Sequence, residues 1–237
     1  MRWLLAVAVV GCKAIPPPPV LPQHFDTSRP ERETVTATVV VGFAGQVLGG
    51  DGLGVALRVE RQQTDRTTLG IELAGGRAGH LTGDDEYHRR HLLVAVRGYG
   101  RFVPDRTEEA LALTYGAGLS LQTTGLVTAG FHAGLAFSWV NDRVEPLGGI
   151  GLALAVPVRR GAPYGEYDIL ENGTATGVPQ SRLPRTELFP YGSVGALVPV
   201  GATGNRLSVD AGFAIAVRED IGLMSLSFGD AQRFDAR

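Results

Sequence analysis

Three runs decide how this chain folds: ALALTYGAGLSLQ at 110–122, VTAGFHAGLAFSW at 127–139 and IGLALAVPV at 150–158. In the first, Leu111, Leu113, Tyr115, Ala117, Leu119 and Leu121 fall on one side. Ala112, Thr114, Gly116, Gly118, Ser120 and Gln122 fall on the other. In the second, Val127, Ala129, Phe131, Ala133, Leu135, Phe137 and Trp139 alternate with Thr128, Gly130, His132, Gly134, Ala136 and Ser138. The third sets Ile150, Leu152, Leu154, Val156 and Val158 against Gly151, Ala153, Ala155 and Pro157. Period-two alternation of this length is the pattern of a β-strand, whose successive side chains point to opposite faces. A water-soluble sheet would carry charge on its outer face. Here the second face is Gly, Ala, Ser and Thr, and the charges sit in the breaks. A large apolar face opposite a small, weakly polar one fits a barrel with lipid outside and a crowded polar interior. The run lengths suit a tilted membrane crossing, which takes about 9–11 residues.

Working outward, the same alternation predicts strands near 34–46, 53–62, 67–74, 91–102, 188–200, 206–217 and 222–228, with Gly-, Asn-, Asp- and Pro-rich turns between them. The fold class expected is all-β: a single antiparallel up-and-down transmembrane β-barrel of about ten strands, within a range of about eight to ten. The two long polar segments, 75–90 and 159–187, are the third and seventh connections. Both therefore emerge on the same side, as expected of a barrel with short turns at one end and long loops at the other. An even strand count brings both termini to the short-turn side. Phe102, Trp139 and Phe228 are expected at the interface near the termini, and Phe43, Phe189 and Tyr191 at the opposite one.

The N-terminus reads MRWLLAVAVVGC. Arg2 is a short positive region, and Trp3 to Val10 an apolar run too short to span a bilayer as a helix, which takes about 20 residues. Val9-Val10-Gly11-Cys12 resembles a bacterial lipobox, and Cys12 is the chain's single cysteine. Lipidation gives that lone thiol a purpose, and an internal disulfide is impossible. The stretch 13–33 holds the four-proline run Pro16 to Pro19 together with Pro22 and Pro30, and reads as an extended tether. The organisation expected is thus 1–12 signal with lipobox, 13–33 Pro-rich tether, 34–228 barrel and 229–237 tail.

The formal net charge of -2 over 237 residues argues against nucleic acid as a partner. Glycine supplies 33 residues, most of them within the strand runs. There they permit the curvature and close backbone approach that a narrow barrel needs.

On these runs the chain, over roughly 34–228, resembles the small bacterial outer-membrane β-barrels, the OmpA-like barrel class, carrying a lipoprotein-type signal. Met224-Ser225-Leu226-Ser227-Phe228 resembles the C-terminal insertion signal of that class, although further residues follow Phe228. The resemblance implies residence in the bacterial outer membrane with both termini periplasmic. It implies membrane lipid as a partner, with an extracellular or periplasmic protein as a further one, a monomeric state and no cofactor. It transfers no catalytic residue.

Alternation turns Arg58, Glu60, Glu72, Arg97, Arg101 and Asp210 inward, with Tyr99 and His132. Charges at this depth need partners, because an unpaired buried charge is very costly. An arginine–carboxylate network that fills and rigidifies the lumen is expected, and a polar solute path is the alternative. His80, Asp84, Asp85, Glu86, His88 and His91 are close in sequence and of metal-binding type, but their spacing fits no metal motif. A solvated loop is the expectation there. Arg77, Arg89, Arg90, Arg159 and Arg160 fall near the outer rim, where guanidinium forks would match lipid phosphate.

No G-x-S-x-G is present, and no serine is placed beside His132 by sequence. A non-enzymatic structural or surface-interaction barrel is therefore the leading expectation. A lipid-anchored periplasmic barrel with an apolar ligand inside, and a barrel hydrolase acting on lipid, are the competing ones.

Overall fold

The computed structural model describes residues 34–46, 52–78, 91–104, 109–123, 125–139, 143–159, 165–166, 180–181, 186–200, 205–217 and 221–235. Its strands are β1 (Thr34–Gln46), β2 (Gly52–Thr64), β3 (Thr67–Ala78), β4 (His91–Phe102), β5 (Glu109–Gln122), β6 (Val127–Trp139) and β7 (Glu145–Arg159). A two-residue ribbon follows, β8 (Gly165–Glu166) with β9 (Gln180–Ser181), and then β10 (Glu187–Val200), β11 (Asn205–Ala216) and β12 (Ile221–Asp235). The ten long strands close into one barrel in the order β1-β12-β11-β10-β7-β6-β5-β4-β3-β2, and every neighbouring pair is antiparallel. Closure leaves no unpaired strand edge, which in lipid would cost several kcal/mol per unsatisfied backbone group, roughly.

The closing seam pairs β1 with β12, from Thr34↔Asp235 to Gln46↔Leu223. Both chain ends thus lie at one end of the barrel, here the termini end. Short connections join strands there. The segments 79–90 and 160–186 both join strands at the opposite, loop end. At the loop end β5 turns into β6 through Gly125, whose φ of 82° is a left-handed conformation that favours glycine. Backbone bonds from Gly125 N to the Gln122 carbonyl (2.8 Å) and from Gln122 N to the Leu126 carbonyl (3.0 Å) close that turn.

Most of the large apolar side chains face outward. Leu113, Phe137, Ile71, Leu152, Val209 and Phe228 are all exposed, Ile71 at 64%. Ala112, Thr114, Ser120, Thr128, Ala136 and Ser138 on the alternate positions are buried. An internal apolar cavity lined by the large residues is therefore not the arrangement of this barrel.

Three local expectations are corrected. The barrel does not end at Phe228 with a tail over 229–237: β12 continues to Asp235, held by the full length of β1, and Phe234 is its last outward aromatic. The polar outward residues Asp230 and Gln232 hide this extension from an apolar pattern search. β7 begins at Glu145 rather than near Ile150, its first turn masked by Pro146 and the pair Gly148-Gly149. Phe189 and Tyr191 do not belong to an outer aromatic girdle. Both point into the lumen, Phe189 with no exposure at all, because they pair with Ala153 and Gly151 of β7, whose small side chains leave them room.

Six aromatic rings lie against glycines at directly paired positions of the next strand. Outside are Tyr115 on Gly100, Phe137 on Gly148 and Phe213 on Gly192. Inside are Tyr99 on Gly70, His132 on Gly116 and Tyr191 on Gly151. A ring covering an exposed strand glycine restores packing that the missing side chain forfeits, and it pins register.

Candidate functional site

Four of the buried charged side chains, Arg58, Glu72, Arg97 and Arg101, line the lumen along β2, β3 and β4. Arg58, Glu72 and Arg97 occupy one row: Arg58 pairs with Glu72 across β2–β3, and Glu72 with Arg97 across β3–β4. One carboxylate oxygen of Glu72 accepts from the Arg58 Nε–H and, at 2.9 Å, from Arg97 Nη2. Glu72 is fully buried, and the two arginines nearly so. Charge-assisted bonds of this kind are the strong ones, and they offset the desolvation that would otherwise expel these groups.

Tyr99 extends the cluster towards the termini end. Its hydroxyl donates to Glu60 Oε1 at 2.8 Å, and Arg101 Nη2 lies 4.0 Å from Glu60 Oε2. The Tyr99 ring also takes the guanidinium groups of Arg97 and Arg58 at 5.2 Å and 5.8 Å from its centroid. The inward strand positions suggested by alternation thus become one contiguous network of Arg58, Glu60, Glu72, Arg97, Tyr99 and Arg101. His132 sits on β6 against Gly116, and Asp210 on β11, both buried and facing the lumen. His132 faces away from lipid, and among the described residues no group of three or more His, Cys, Asp or Glu is placed to hold a metal.

The opposite wall, β7, β10 and β11, carries a small and aromatic patch between its own charged residues Glu145, Glu187 and Asp210. Phe189 and Tyr191 pack with Ala153, Ala155, Ala214 and Ala216. Tyr191 reaches across two strands, so that its hydroxyl lies 2.5–2.6 Å from where a Cβ on Gly151 or Gly134 would stand. Between the charged wall and the aromatic wall, most described inward side chains are buried from one end to the other.

A second charge pair escaped the sequence reading. Arg206 Nη1 of β11 meets Glu145 Oε2 of β7 at 2.7 Å, across the intervening β10. Glu145 lay in what reads as a turn, and only the register brings it opposite Arg206. Glu187, at the loop-end start of β10, is also buried.

Other sequence candidates fall elsewhere. Cys12, His80, Asp84, Asp85, Glu86, His88, Arg89, Arg90 and Arg160 lie outside the described residues. Arg77 and His91 stand at strand ends where only the backbone is described, and Arg159 is exposed at the loop end of β7.

No protein-family model and no curated protein matches this chain. Solved structures do. An outer membrane channel from Pseudomonas putida F1 aligns with a TM-score of 0.50 at 12% identity, over 89% of this chain and 99% of its own. The translocator domain of the autotransporter NalP from Neisseria meningitidis aligns at 0.42 and 15% identity, over 98% and 94%. Neisserial surface protein A aligns at 0.35 and 15%, over 85% and 96%. The fold is that of the outer-membrane β-barrels. At these identities the likeness reaches no further than the fold.

Proposed function

We propose that this chain is an integral barrel of the bacterial outer membrane with a structural or surface-interaction role, and that its lumen is filled rather than open. The observation that carries this reading is the buried row Arg58–Glu72–Arg97, which covers the inner face of β2–β4 with side chains bonded to one another. A barrel of about eight strands has room only for its own side chains, and ten strands add little. Across the lumen Phe189 and Tyr191 pack against alanines of the facing strands. The outward face supplies the membrane half of the reading, since a continuous apolar belt of this extent is a lipid-contacting surface.

The orientation follows from loop length. The termini and short turns are assigned to the periplasm, with 79–90 and 160–186 outside, and lipidated Cys12 and the 13–33 tether on the periplasmic side. The interaction role rests with the two outer segments, and the partner is a macromolecule met there. No catalytic step is assigned to His132, which faces the lumen against Gly116.

The test is conductance of the purified chain in planar bilayers. A filled lumen gives no stable openings. Large, sustained openings of the unmodified protein would overturn it. Labelling intact cells through cysteines introduced in 160–186, in a Cys12→Ser background, checks the orientation.

A further inference from the structure

A groove of about 760 Å³ opens at the termini end around the β2–β3 turn, lined by Arg61, Gln63, Thr64, Asp65, Arg66 and Phe102 among others. The turn that forms it is well fixed. The Thr64 hydroxyl accepts from the backbone N–H groups of Arg66 (3.3 Å) and Thr67 (3.1 Å), and Val103 N donates to the Arg66 carbonyl at 2.8 Å. Gln63 is the extra residue of a bulge between Gln62 and Thr64. Bulges at barrel rims re-aim side chains in this way.

The groove lies at the rim, where Gln62 borders it from the lumen face while Arg61 and Phe102 line it from the lipid side. Arg61 pairs with Leu69 of β3 and Val35 of β1, and continues the outward series Val55, Leu57, Val59. Phe102 pairs with Thr67 on that same outward face. Directly above Arg61 the surface becomes wholly apolar: Val59 with Ile71, then Leu57 with Leu73. Beside Ile71 lies Gly98, whose missing side chain leaves open space on the outer surface, and beyond it Ala117. A polar groove thus adjoins a shallow furrow in the belt. Two guanidinium groups against the one carboxylate of Asp65 give the groove net positive charge, and Phe102 supplies the aromatic body usual at a membrane interface.

We infer that this groove binds the phosphate-bearing headgroup of a lipid in the leaflet on the termini side, with an acyl chain lying along Ile71 and Gly98. Arginine forks suit phosphate oxygens, and the groove's position between apolar belt and water matches the depth of a headgroup. The inference rests on the membrane-spanning reading above.

Native mass spectrometry of the full chain, refolded in detergent and titrated with phosphatidylglycerol or the matching diacylglycerol, tests it. One phosphatidylglycerol should be retained per barrel, with little diacylglycerol. The Arg61→Ala/Arg66→Ala double variant should bind phosphatidylglycerol about tenfold more weakly, the order expected for losing a charge-assisted contact. Equal retention by wild type and variant, or of both lipids, would overturn the site. Displacement by millimolar inorganic phosphate would overturn the lipid assignment in favour of the free ion. Unboiled gels of each sample separate the two levels: a heat-modifiable barrel that binds no headgroup defeats only the groove, whereas loss of heat modifiability in the wild type defeats the membrane reading with it.

Discussion

Glu72 and Arg97 face each other at paired positions of β3 and β4, joined at 2.9 Å inside the barrel, while the same carboxylate oxygen also takes the Nε–H of Arg58. One carboxylate therefore holds two guanidinium groups in a lumen that offers them little water. Removing it leaves two buried like charges side by side. Glu72→Ala should cost about 3–5 kcal/mol of unfolding free energy. Replacing the whole row by Arg58→Met, Glu72→Leu and Arg97→Met should recover most of it, because an apolar filling of similar volume needs no desolvation. Urea titration in lipid vesicles reads both. A triple variant as unstable as the single one would show that something other than the loss of the Glu72 carboxylate sets the cost.

The ring-on-glycine pairs give a paired comparison. A Cβ on Gly70 would stand 2.5–2.9 Å from three atoms of the Tyr99 side chain, its hydroxyl oxygen among them, whereas one on Gly98 meets nothing within 4 Å. Gly70→Ala should displace Tyr99 from Glu60 and destabilise by about 1–3 kcal/mol. Gly98→Ala should be neutral or slightly stabilising. Equal effects in the same unfolding assay would deny that the ring is seated where described.

The outer surface predicts a depth dependence. Ile71 stands within the apolar belt, between Val59 and Gly98, whereas Phe234 is the last described outward side chain of β12, at the termini-side edge. Ile71→Arg should cost about 2–4 kcal/mol and Phe234→Arg about 0–1 kcal/mol. The same cost at both positions would remove the bilayer from the picture of this surface.

Phe189 offers a test of lumen packing. It has no exposed surface and lies among alanines, so Phe189→Ala should cost about 3–5 kcal/mol and leave a cavity. The outward Phe131→Ala should cost clearly less. If Phe189→Ala is silent in the unfolding assay, the aromatic wall does not fill the lumen.

The barrel was legible in the sequence where the two faces differ most in size. Along β5 and β6 the outward Leu and Phe alternate with Gly, Ala, Ser and Thr, so period and face were both plain. On β10 the pattern reverses locally, with Gly192 outside and Tyr191 inside. That is possible only because Phe213 covers the one and Gly151 accommodates the other. No single strand contains that information. The inward parity of Arg58, Glu72 and Arg97 could be read, but not who meets whom, since a slip of two residues preserves every face while changing every partner. Glu145 and Arg206 show the same limit, being brought together across an intervening strand.

The central claim is most directly tested by residue-by-residue lipid accessibility along β6. Single cysteines placed from Phe131 to Trp139 in a Cys12→Ser background, labelled with an environment-sensitive fluorophore and reconstituted with brominated lipid, report which side meets acyl chains. Strong quenching at 131, 135 and 137 with little at 132, 136 and 138 is the result predicted. Quenching at 132, 136 and 138 instead, or none at any position, would contradict a barrel that turns its large apolar face to lipid.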